Sequence, residues 1–396
     1  MHDLQLISEK LEQATAILNE FEVDLWLTFV RETTLSPDPV MELIAGIDVT
    51  WQSAFLLSRD GKHTAIVGRF DAANLEGSPY RVLTYDQGIS VPLLLALEQL
   101  QPQTIALNYS ESDASADGLS HGMFRTLQNL FKETSFEERF ISAERLTAAL
   151  RGRKTPSEIE RVREAVEVTE NLFHEVELFV RPGMTQRQIA DFVHGRIAEL
   201  GLEYAWPQKY NPIVTCGPHS AIGHAEPGDV VLEKGHTLHL DLGVKLDDYC
   251  SDLQRMWYVL DDGETEAPAD VQKAFNVVRD AIITGEKHLT PGTLGWQVDE
   301  VAREFIVDNG YPEYMHAFGH LLGRTAHDGA TVLGPKWERY GATVELPIEV
   351  GNIFTLELHV VVEDRGIMSL EEDVVVTETG VEYLSTPQTA LRYIKS

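Results

Sequence analysis

The strongest constraint in this chain is that its second half is written twice. PGMTQRQIADFVHGRIAELG, from Pro182 to Gly201, and PGTLGWQVDEVAREFIVDNG, from Pro291 to Gly310, both open on Pro-Gly, carry Gln six residues after the Pro, and close on Gly thirteen residues after that Gln. Each follows a helix-like segment, roughly 156–180 and 268–288. Downstream, LEKGHTLHLDLG from Leu232 matches IEVGNIFTLELH from Ile348, with Glu233 over Glu349, Gly235 over Gly351 and Asp241 over Glu357. A long-period repeat of this kind marks a duplicated supersecondary unit. Here the unit reads helix, helix, hairpin, and two copies imply an α+β domain with a pseudo-two-fold axis.

Each hairpin raises the same electrostatic question. In HLDLGVKLDDYCSDLQR, residues 239–255, a tip near Leu246 and Asp247 puts Asp241 opposite Asp252. In FTLELHVVVEDRGIMSLEEDVVV, a turn at Asp364, Arg365 and Gly366 puts Glu357 about opposite Glu372, and a slip of one residue would substitute Glu371. Like charges facing across two strands repel. Four carboxylates brought together by an internal two-fold need a cation among them. Oxygen-rich clusters with an imidazole or two suit Mn²⁺, Co²⁺, Fe²⁺ or Zn²⁺, and bridging carboxylates favour two ions. MHAFGHLLGRTAHDG supplies His316, His320 and His327 just before the second hairpin, and GPHSAIGHAEPG supplies His219 and His224 before the first.

The N-terminal part has a different texture. VDLWLTFV, SAFLLS, HTAIVG and TIALNY are short apolar runs set among helical stretches, which predicts a three-layer α/β domain. Leu4, Ile7, Leu11, Ala14 and Leu18 form one stripe of an opening helix, which is no secretion signal. Thr155, Pro156 and Glu158 read as a capped helix start, and the basic RGRK before it as a linker, so the domains are expected at 1–152 and 153–396. A formal net charge of -31 argues against nucleic acid and anionic membranes as partners. No run is long enough to span a bilayer, and two isolated cysteines, Cys216 and Cys250, make no disulfide framework. A cytoplasmic location is expected.

The ordered set DLG, YCSDLQR, FGHLLG, TAHDG, FTLELH and LEEDVVVT resembles the signature of the pita-bread metallopeptidases, the superfamily of methionine aminopeptidase, aminopeptidase P, prolidase and creatinase. The extra N-terminal domain is similar to that of aminopeptidase P, prolidase and creatinase. The resemblance implies an α/β N-terminal domain ahead of an α+β pita-bread catalytic domain. It implies two divalent ions, manganese first, with cobalt, zinc or iron as alternatives. Asp241 would chelate one ion, Asp252 and Glu372 bridge both, and His320 and Glu357 complete the second; the Glu-Asp pair in LEED is what selects Glu372 over Glu371. A hydroxide held between the ions would attack a peptide carbonyl, with Glu357 shuttling the proton to the leaving nitrogen. His224 and His327 would hold the carbonyl and the oxyanion, and His316 would line the substrate side.

Three positions depart from the family pattern. His359 stands where the family has the last residue of EPG, on the face of Glu357, and would narrow the pocket. Leu370 stands where prolidases and many aminopeptidases P carry an arginine that holds substrate. His327-Asp328-Gly329-Ala330 lacks the usual proline. The resemblance implies cleavage of Xaa-Pro bonds, more as an aminopeptidase P than as a dipeptidase, by a homodimer. The alternatives are a metal-dependent hydrolase or lyase of a small non-peptide molecule, and a non-catalytic binding protein on the same fold.

Overall fold

The computed structural model describes residues 3–395 and divides into two compact units between Arg151 and Gly152. In the first unit a six-stranded sheet is built from β1 (Leu25–Val30), β2 (Ser53–Ser58), β3 (Thr64–Gly68), β4 (Arg81–Tyr85), β5 (Ile105–Leu107) and β6 (Phe140–Ser142), in the order β4-β3-β2-β1-β5-β6. Both faces are covered. Trp26 and Val30 of β1 join Ile7, Leu11, Ala14 and Leu18 of α1 (Leu4–Glu20) in one core. Leu25, Leu27 and Phe29 join Leu93, Leu97 and Leu127 in the other. Burial on both faces is why these strands read as continuous apolar runs. The edge strands β4 and β6 are only partly buried, so they carry no such run and escape a search for one. Leu4, expected on the buried stripe, is 40% exposed.

The second unit realises the duplication. α2 (Pro156–Phe179) and α3 (Gln186–Leu200) are followed by the strands β7 (Ile213–Cys216), β8 (Thr237–Leu242) and β9 (Leu253–Val259). α4 (Ala269–Glu286) and α5 (Gly295–Asp308) are followed by β10 (Ile353–Val362) and β11 (Gly366–Thr377). The cap at α2 forms as expected: Thr155 Oγ1 accepts from Glu158 N and Glu158 Oε2 accepts from Thr155 N at 2.8 Å. The repeated glutamines are caps too, Gln188 Oε1 accepting from Thr185 N and Gln297 Oε1 from Leu294 N, each at 2.9 Å. The repeated Pro-Gly turns need φ near +90° at Gly183 and Gly292, a conformation open to glycine. Their amides bind Leu232 O and Ile348 O, both at 2.8 Å, so equivalent turns fasten equivalent strand entries.

The five main strands run β10-β11-β9-β8-β7 in one sheet. The two hairpins lie side by side, joined where Gln254 of β9 pairs with Glu371 of β11. α4 and α5 pack on one side, where Phe275, Val278 and Val298 meet Leu356, Leu358, Val360 and Val374 in a dry core. Each such side chain contributes about 1.5–3 kcal/mol by burial. Because strand residues alternate, Thr355, Glu357 and His359 face the other way.

Candidate metal centre

Register decides which acids meet. Asp241 pairs with Gln254, two residues on from the expected Asp252. Asp247 and Asp248 both have positive φ, which centres the turn between them rather than on Leu246–Asp247. A two-residue shift preserves the face. Asp252 therefore still reaches Asp241, and their side chains are within hydrogen-bonding contact. In the second hairpin Glu357 pairs with Glu371, and Leu356 with Glu372.

That one-residue shift is a correction, because it turns Glu372 away from the cluster. Glu372 Oε2 accepts from Arg255 Nη2 at 3.0 Å and from Ser385 Oγ at 2.6 Å, and Oε1 accepts from Gln388 N at 2.9 Å. Its role is a buried ion pair on the far face. With Glu371 in the cluster, the residue two places before it is Ser369, on the same face, and Leu370 is buried in the core behind.

The internal two-fold maps Asp241 onto Glu357 and their cross-strand partners Gln254 and Glu371 onto each other. The first copy thus carries an amide where the second carries an acid, and Asp252 supplies the missing carboxylate from two residues away. Gln254 Nε2 donates to Glu357 Oε2 and to Glu371 Oε2, both at 2.9 Å. Its Oε1 faces His239 Nε2 at 2.9 Å and the Ser369 hydroxyl. Where Glu357 and Glu371 are ionised they only accept, which orients the amide and makes His239 Nε2 the donor.

His320 sits across from the acids on a short strand, Gly319–His320, anchored over β10 by a bridge from Leu321 to Phe354. Its Nε2 lies 3.8 Å from Asp252 Oδ2 and 4.0 Å from Glu357 Oε1. Ligand atoms of Asp252, His320 and Glu371 lie within 4.8 Å of one another. The His327 ring stands edge-on to His320 with centroids 4.2 Å apart. His316, His359 and Tyr314 form a second ring cluster with centroids 5.4–5.7 Å apart. His224, exposed on its loop, is close enough to lower the basicity of His316, His320 and His327. Every sequence-predicted site residue except Glu372 is therefore in this neighbourhood.

Burial, then neighbouring carboxylates, holds Asp241, Asp252 and Glu371 far above the usual carboxylate range, and burial lifts Glu357 to about 7. Burial first and His327 second press His320 down to about 3, so its ring is neutral, the form that binds metals. Asp241 Oδ1 is buried with no hydrogen-bond partner. A cluster of mutually repelling acids, an orphaned oxygen and a neutral imidazole is a donor set that fits hard or borderline divalent cations. Sequence reasoning missed four residues here: Gln254, His239, Ser369 and Asp373, whose Oδ2 accepts from Asp252 N at 3.2 Å. Strand parity, once the turns are centred, would have found all four.

Fold and donor set together define a metallohydrolase-like protein: an α/β unit ahead of a duplicated pita-bread unit. Residues 160–378 match the model of metallopeptidase family M24, and the chain belongs to that family, whose peptidases use divalent metal ions. Among solved structures it is similar to the X-Pro aminopeptidase of Thermotoga maritima, at 25% identity over 97% of this chain and 99% of that one, with a TM-score of 0.71. The Xaa-Pro dipeptidase of Bacillus anthracis shares the fold at 22% identity over 98% of this chain and 100% of that one, with a TM-score of 0.73. An uncharacterized peptidase of Staphylococcus aureus is 26% identical over 338 residues, 84% of this chain and 87% of that protein.

Proposed function

We propose that this chain is a metallo-exopeptidase that hydrolyses peptides with proline in the second position, as an aminopeptidase rather than a dipeptidase. The observation that carries the reading is the convergence of Asp241, Asp252, Glu357 and Glu371 on one sheet face with His320 opposite. These five would hold two divalent ions, manganese foremost, with cobalt, zinc or iron as alternatives. Bound there, the ions supply Lewis-acid polarisation of the carbonyl and lower the pKa of water. The names of the solved relatives, an X-Pro aminopeptidase and an Xaa-Pro dipeptidase, support the substrate class.

The chain's own groups supply the rest. Gln254 holds one oxygen of Glu357 and one of Glu371, which sets their spacing without adding a charge. The ring N–H groups of His224 and His327 donate to the substrate carbonyl oxygen as negative charge develops on it. The Glu357 carboxylate carries the proton to the leaving nitrogen. His316 and His359 wall the site and exclude water from the proline ring. A dipeptidase needs a cation for the free carboxylate of its product. Here Ser369 faces His359 at the relevant position, which favours longer substrates. The homodimer expected from the resemblance and the cytoplasmic location expected from the sequence belong to this reading too, and sedimentation analysis tests the first.

The test is metal analysis of the purified protein, followed by hydrolysis assays on Xaa-Pro dipeptides, longer Xaa-Pro peptides and creatine. Asp252→Asn should lose metal and turnover together. Turnover on creatine alone, or full activity in that variant, refutes the reading.

A further inference from the structure

The face that carries the acids does not end at His359. Along β10, Glu357 and His359 are half-buried and Val361 is 53% exposed, so the same face opens to solvent. Across the hairpin these three pair with Glu371, Ser369 and Ile367. Val361 and Ile367 line a cavity of about 250 Å³ whose other walls include Thr215, Pro218 and Ile222, the last two residues ahead of His224. Glu363 and Asp364 line it as well, and among the described residues no lysine or arginine does.

Two buried polar atoms on the strand pair that borders this cavity have no partners. Thr215, which lines it, pairs across the sheet with His239. Thr215 is 3% exposed and His239 4% exposed, and Thr215 Oγ1 and His239 Nδ1 make no hydrogen bond. With Glu357 and Glu371 ionised, the Gln254 amide settles the His239 tautomer: Nε2 is the donor, so Nδ1 presents a bare lone pair. A hydroxyl free to donate beside a nitrogen free to accept is complementary to one residue of an extended peptide, whose own C=O and N–H point to the same side.

We propose that this cavity is a subsite for the leaving part of the peptide, with Thr215 and His239 holding the C=O and N–H of one extended residue and the apolar walls taking an uncharged side chain. The inference rests on the aminopeptidase reading. Val361 lies four strand residues from Glu357, about 13 Å. An extended peptide covers about 3.3–3.6 Å per residue, so the side chain belongs to a residue roughly three or four along from the scissile bond. Only one residue precedes that bond in an aminopeptidase substrate, so the subsite lies on the leaving side. Glu363 and Asp364 select against an acidic residue or a terminal carboxylate there.

The experiment measures kcat/KM on metal-loaded enzyme for Ala-Pro-Ala and for Ala-Pro pentapeptides with Leu, Gly or Asp at the fourth and fifth residues. The leucine pentapeptide should exceed the tripeptide and the aspartate pentapeptide by about tenfold or more, the worth of a filled apolar pocket. Thr215→Val and Val361→Asp should each lower that preference ratio about tenfold. Removing an orphaned hydroxyl does not lower Tm, so Thr215→Val separates binding from folding. Cleavage of all lengths at equal kcat/KM, or an equal loss at every length in both variants, overturns the subsite while leaving the peptidase reading intact. Calorimetric affinity for the leucine pentapeptide with a reduced, uncleavable first bond reads the subsite even without turnover, and equal affinity in wild type and Val361→Asp also overturns it.

Discussion

Removing divalent ions should reverse the usual benefit of neutral pH. In the metal-free protein, burial and mutual repulsion raise Asp241, Asp252 and Glu371, burial raises Asp373, and burial moves Glu357 from 4.5 to about 7. A carboxyl whose folded pKa is raised binds its proton more tightly folded than unfolded, so stability falls as pH climbs from the unfolded pKa toward the folded one. For Glu357 the full window is worth roughly 3 kcal/mol, at about 1.4 kcal/mol per unit. Below about pH 6.5 the effect is masked. His239, His320 and His359 are depressed by burial to about 4, 3 and 4, and such groups add stability as pH rises through that range.

Above about pH 6.5 the imidazoles are neutral in both states and the acids act alone. Each acid still protonated in the folded state then costs about 1.4 kcal/mol per pH unit. The loss continues from about pH 7 to about pH 9 for any carboxyl that keeps its proton there. Denaturant melts in a chelator across this range should show falling stability. Added Mn²⁺ at a thousandfold excess over its Kd should return about 4 kcal/mol, with proton release in calorimetry. A chelated protein whose stability is flat or rises from about pH 7 to about pH 9, and which Mn²⁺ does not stabilise, would refute the electrostatic account of the site.

Four substitutions probe its parts. Glu371→Gln should abolish metal binding with little loss of fold, whereas Glu372→Ala should keep metal stoichiometry and cost about 3 kcal/mol by stripping the buried Arg255 of its 3.0 Å carboxylate; the opposite pattern in metal analysis and denaturation would restore the rejected register. Gln254→Leu removes the donor shared by Glu357 and Glu371, and titration should show metal affinity lower by about 10–100-fold. Lys154 Nζ lies 3.0 Å from Asp328 Oδ2 with both side chains buried, next to His327, so Lys154→Met should lower unfolding free energy by about 3 kcal/mol.

Much of the second unit can be read directly from the residues. The repeated Pro-Gly, the capping glutamines and the superposition of Asp241 on Glu357 are local signals, and local backbone chemistry makes them reliable. The period of two in a strand is local as well, which is why Asp241, Asp252 and Glu357 were recognisable as one face. The edge strands β4 and β6 lacked any such signal, because a half-exposed strand has no apolar run to display.

Register was a different matter, since it depends on where a turn is centred, and that rests on two or three dihedral angles. Asp247 and Asp248 tolerate the positive φ of a two-residue hairpin turn, a cue that centres the first tip correctly. Misplacing it by one residue moved the pairing by two and left the face unchanged. In the second hairpin a shift of one exchanged Glu371 for Glu372, the difference between a residue of the acid cluster and a partner for Arg255. The duplicated pattern of acids by itself determined that this chain gathers carboxylates about an internal two-fold and needs cations there. Only the folded sheet decided which carboxylates they are, and that an amide from Gln254 lies among them, because cross-strand distance is set by pairing that no single segment contains.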